Sequence, residues 1–67
     1  MTSAPLQPRW LTIDQAAAYI GFAKGTLYHW VNQRQIPFVK KGRSLRFDRL
    51  VLDEWMERDR VQSVDDF

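Results

Sequence analysis

The hydrophobic pattern of the chain changes period twice between Leu11 and Met56. In "LTIDQAAAYIG" the positions Ala16, Ala17 and Ile20 recur at helical spacing, so one face of this segment is expected to be buried. Thr12 with Gln15 three residues later makes a capping box, and Gly21 is placed to end the helix in a left-handed conformation. The first helix therefore runs roughly Ile13 to Ile20. Its three successive alanines let another helix approach closely.

After "GFAK" the helical period resumes in "TLYHWVNQR". Leu27, Trp30, Val31 and Arg34 form the stripe that packs, while Lys24, Gly25, Tyr28, His29, Asn32 and Gln33 face outward. This second helix is expected to end near Gln35, ahead of Pro37. Two short helices joined around Gly21 and Phe22 read as a helix-turn-helix.

The period then drops to two. Phe38 and Val39, and again Leu45 and Phe47, flank Lys41-Gly42-Arg43-Ser44, the pattern of a small hairpin turning at Gly42. Asp48 is a good N-cap for a third helix, "RLVLDEWMERDR", in which Leu52, Trp55 and Met56 make a core-facing stripe. Leu50 and Val51 fall partly off that stripe, so one of them is expected to be exposed, through partial burial or as a contact with a second protein. Trp30 and Trp55 stand at core spacing; Trp10 fits either the edge of the core or part of a staple. The fold class is mainly α with a small β-hairpin, in the order helix, turn, helix, two-stranded wing, helix. Residues 1–9 read as a flexible leader, 10–60 as the folded domain and 61–67 as a short acidic tail.

A chain of 67 residues, 45% of them hydrophobic, fits one small domain with a single core. It has no cysteine, which excludes disulfides, thiol chemistry and zinc knuckles. No apolar run suits a signal peptide or a membrane span, so a cytoplasmic protein, on the nucleoid when bound to DNA, is expected. Net charge is only +2, but it is sorted. From Lys24 to Arg49 seven basic residues meet a single acid, Asp48, whereas from Leu50 onward six acids meet two arginines. The middle of such a molecule attracts polyanions and its end repels them.

That sorting gives the outward residues a chemistry. An α-helix fits the major groove of B-DNA, and Lys24, Thr26, Tyr28, His29, Asn32 and Gln33 offer donors and acceptors to base edges. Lys24 suits guanine, and Asn32 or Gln33 suit adenine. The same residues also fit the wet side of any amphipathic helix. Because the start of a recognition helix enters deepest, Lys24, Thr26, Tyr28 and His29 rank ahead of Asn32 and Gln33. The wing tip, with Lys40, Lys41, Gly42, Arg43, Ser44 and Arg46, suits phosphates or the minor groove; its bland reading is a charged turn that protects ribbon edges. If about five cations each neutralise a phosphate, the log-log salt slope of binding is roughly −4 to −5.

Little else in the chain carries chemistry. His29 is the only histidine, the acids of the third helix alternate with core positions, and Gly21, Gly25 and Gly42 stand apart. No catalytic residue, metal ligand or cofactor site is therefore expected, and the protein does not read as an enzyme.

Residues 11 to 57 resemble the small winged helix-turn-helix DNA-binding domain of the excisionase and MerR-like superfamily. The resemblance rests on Leu11-Thr12, Asp14 through Gly21, Thr26 to Val31, Gln35 to Pro37, Gly42-Arg43, and Leu52 to Met56. It departs at Ala23, where a capping serine is common, at Gly25 in the first turn of the recognition helix, and at Gln35, read as replacing the link's glycine. What it implies is sequence-specific binding of double-stranded DNA, with the second helix in the major groove and the wing on backbone and minor groove. It also implies a recombination directionality factor that bends DNA beside an integrase on a mobile element, or a small transcriptional regulator. Only a short segment follows the third helix, which disfavours an effector-sensing MerR protein with its long dimerisation helix. So small a surface suits cooperative self-association on tandem sites. A reading of another class is a protein-interaction adaptor using Leu50, Val51 and the acidic third helix.

Overall fold

The structure, a computed structural model, describes residues 8–61; the expected leader up to residue 7 and tail from residue 62 lie outside the described residues. The elements follow in the order β1 (Trp10–Leu11), α1 (Ile13–Ile20), α2 (Lys24–Asn32), β2 (Val39–Lys41), β3 (Ser44–Asp48) and α3 (Arg49–Glu57). Helix, turn, helix, ribbon and helix are thus present as expected, and β1 is an addition.

Both halves of the α1 capping box form. Thr12 Oγ1 accepts from the Gln15 N–H at 3.2 Å, and Gln15 Oε1 accepts from the Thr12 N–H at 2.9 Å. Gly21 closes the helix with φ 81°, its N–H donating to the Ala17 carbonyl at 2.9 Å. A Cβ at Gly21 would meet no neighbour, so the backbone dihedral and not lack of space calls for glycine.

In the wing, Val39 pairs with Arg46, Lys40 with Leu45 and Lys41 with Ser44, which leaves Gly42 and Arg43 as a two-residue loop. Gly42 has φ 62°, the left-handed sign that tight hairpin loops require. Alternation along the strands then sorts the side chains. Leu45 and Phe47 turn towards the helices with Lys40 opposite Leu45, and Val39, Lys41, Ser44 and Arg46 take the alternate positions.

The strand β1 pairs Trp10 with Asp48 and Leu11 with Phe47, placing β3 in the middle of a three-stranded sheet ordered β1-β3-β2. Arg9 extends the connection. Its carbonyl accepts from the Arg49 N–H at 2.7 Å, and its guanidinium grips the Asp48 carboxylate through Nε at 3.1 Å and Nη2 at 2.9 Å. Asp48 Oδ1 also caps α3 by accepting from the Leu50 N–H at 3.1 Å. The bond from Arg9 chiefly holds the Asp48 carboxyl below the usual aspartate range, with desolvation opposing and the Leu50 N–H assisting.

The core lies between the sheet's inner face and the helices: Leu11, Ile13, Ala16, Ala17, Leu27, Ile36, Phe47 and Leu52 are buried. Phe22 meets Trp30 edge-on at 5.0 Å, and Trp30 meets Trp55 at 5.5 Å, so both tryptophans pack as their spacing predicted. The Tyr19 hydroxyl donates to Asp53 Oδ1 at 2.7 Å and joins α1 to α3.

Four expectations need correction. Met56 is exposed, because Leu52 and Trp55 take up the contact with the core and Met56 has rotated past it. Leu50 and Val51 are both exposed, where one was expected. Trp10 does not cover the core's edge: it sits opposite Asp48 on the outer face of the sheet, with the Arg9 guanidinium 4.9 Å from its ring centroid. Finally, α2 stops at Asn32, short of Gln35, and Arg34 lies beyond it, exposed, instead of on the packing stripe.

Candidate nucleic-acid interface

Leu27 is buried and Trp30 and Val31 are half-buried, which turns the rest of α2 outward. Gly25 and His29, four residues apart, follow its outer line; Tyr28 and Asn32, also four apart, follow the flank towards the wing. Between this flank and the wing runs an open groove. Tyr28 and Asn32 line it from α2, and Lys40, Arg43, Ser44 and Arg46 line it from the wing. Arg34, on the link between them, and Thr12, the cap of α1, complete the polar lining, and no acidic side chain borders the groove among the described residues.

The seven cations between Lys24 and Arg49 divide by what they touch. Arg34, Lys40, Arg43 and Arg46 line the groove. Arg46 is held to the wing, its Nη1 donating to the Leu45 carbonyl at 2.8 Å. Lys41, paired with Ser44 beside the loop, is exposed and does not line the groove. Lys24 Nζ is 2.9 Å from Asp14 Oδ1 on α1, and that hydrogen bond, then the charge of Asp14, raises the lysine above its usual range. Arg49 lies 3.9 Å from Asp53. No α3 residue borders the groove, so the acids of that helix stand clear of the basic surface. Glu57 is gripped by Arg60 through two bonds of 2.6 Å, which lower its carboxyl.

Of the residues singled out in the sequence, the groove therefore brings together Tyr28, Asn32, Lys40, Arg43, Ser44 and Arg46. Gly25 and His29 are exposed beside it, Thr26 is half-buried, and Gln33 is the exposed C-cap of α2. Gly42 shapes the loop. At the start of α2 Lys24 is paired with Asp14, while Tyr28 from the middle of the helix and Asn32 from its end line the groove. Sequence reasoning missed Arg34.

Two short helices in a tight turn, a third helix and an antiparallel ribbon flanking the second helix define a winged helix-turn-helix. A family model, described as a helix-turn-helix domain, matches residues 10–60, and the chain belongs to that family. No curated protein and no solved structure matches it. Membership supports DNA binding. Among the described residues no helix is long and apolar enough to cross a membrane.

Proposed function

We propose that the protein binds double-stranded DNA sequence-specifically, with the outer side of α2 in the major groove and the wing across the adjoining backbone and minor groove. The observation that carries this reading is the acid-free groove between α2 and the wing, bordered by four cations. His29, Tyr28 and Asn32 present polar groups to base edges, and an asparagine suits the N6 and N7 edge of adenine. Gly25, with open space where a Cβ would stand, lets DNA come close to the helix backbone. Lys40, Lys41 and Arg43 neutralise phosphates.

Its role is that of a recombination directionality factor, binding and bending DNA beside an integrase on a mobile element. The resemblance over residues 11 to 57 supports this role. The exposed pair Leu50 and Val51, clear of the groove, leaves an apolar contact for the integrase or for a second copy on a tandem site.

A mobility-shift titration over a range of salt tests the reading. With about five phosphates neutralised the log-log slope is roughly −4 to −5, and a flat response contradicts it. Changing Lys41 and Arg43 together to alanine should weaken binding to all sequences alike, with the fold intact. Loss of element excision on deleting the gene supports the recombination role; changed transcript levels with normal excision point to a transcriptional regulator.

A further inference from the structure

We infer that Arg34 contacts the DNA backbone, held at the groove by a backbone conformation that the fold by itself would give to glycine. This rests on the DNA-binding reading above. At the end of α2 the Gln35 N–H donates to the Trp30 carbonyl at 2.7 Å and the Arg34 N–H to the Val31 carbonyl at 3.0 Å. That pair of bonds puts the residue after the C-cap in the left-handed region, where Arg34 has φ 57°. It is the one non-glycine with positive φ among the described residues. A Cβ is unfavourable there, and arginine lacks the short polar side chain that lets asparagine tolerate it.

Nothing in the folded chain accounts for that choice. The Arg34 side chain is exposed and forms no ion pair or side-chain hydrogen bond among the described residues, although Glu54 borders the other side of the link. What it does is line the groove with Lys40 and Arg43. A phosphodiester entering there meets the carbonyl end of α2, whose dipole repels anions. Arg34 supplies the cation at that point, and its planar fork matches phosphate oxygens.

The test compares the wild-type protein, Arg34→Gly and Arg34→Lys on a labelled mixed-sequence duplex of about 20 base pairs, roughly two helical turns. Arg34→Gly should melt at or above the wild-type temperature. It should bind roughly eightfold more weakly at ~0.1 M salt, with a log-log slope shallower by about 0.9, the loss of one phosphate contact. Arg34→Lys should keep the wild-type slope. The inference is overturned if Arg34→Gly binds with wild-type affinity and slope, or if its melting temperature and affinity fall together at an unchanged slope, which would make Arg34 a structural support. A wild-type protein that forms no salt-sensitive complex overturns the DNA-binding reading itself, whatever the variants do.

Discussion

Changing Phe47 to alanine tests how the wing is anchored. Phe47 is fully buried on the middle strand, opposite Leu11 and one residue before the cap of α3, so it ties sheet, N-terminal segment and helices together. Removing a buried phenylalanine ring costs about 3–5 kcal/mol. A domain of this length holds roughly 3–10 kcal/mol in total. One substitution therefore consumes about 30% or more of the stability, and at ~4–8 °C per kcal/mol the midpoint should fall by at least about 12 °C. Circular dichroism melts provide the assay, with Phe47→Leu as a graded variant expected to lose about 1–1.5 kcal/mol. Trp10→Ala, on the exposed outer face, serves as a control expected to melt within a few degrees of wild type. All cations survive in Phe47→Ala, yet DNA binding should vanish wherever the variant is unfolded. A Phe47→Ala melt within ~4 °C of wild type would refute the docking of the sheet on the helices.

Three further outcomes follow from named contacts. Thr12→Ala removes the side-chain half of the α1 cap and should lower stability by about 1 kcal/mol in a chemical denaturation series. The Asp48 carboxyl titrates lower in the folded chain than in the unfolded one, so its stabilisation is complete above the ordinary aspartate pKa of ~4 and is lost as pH falls through it towards the lowered value. The wild-type melting temperature should accordingly drop between about pH 5 and pH 3, while Asp48→Asn starts lower at neutral pH and changes less in that window. Asp14→Asn releases Lys24 and should tighten duplex binding in a mobility-shift assay; unchanged affinity would mean that the Lys24 ammonium takes no part.

What the sequence disclosed was local chemistry. Thr12, Gln15, Gly21, Gly42 and Asp48 each carry a dihedral or hydrogen-bonding preference strong enough to mark an element boundary, and all five do so in the structure. What it concealed was non-local. Trp10 and Leu11 are too short a run to signal a strand, and only the backbone of Asp48 and Phe47 makes them one. The Lys24–Asp14 pair spans two helices and leaves no periodic trace. Arg34 was hidden for the opposite reason: no turn rule expects arginine in a left-handed conformation, so helical spacing carried it into the packing stripe. The candidate site was legible as a list of outward residues. Which of them share a groove depended on the angle between wing and α2.

The most direct measurement is a titration of the isotope-labelled protein with duplex DNA, followed by amide chemical shifts. Perturbations should concentrate on α2 from Gly25 to Gln33, on Arg34 and on the wing from Lys40 to Arg46, leaving the acidic side of α3 and the Trp10 face of the sheet unmoved. Shifts centred on Leu50, Val51 and the acids of α3, with the groove silent, would contradict the account.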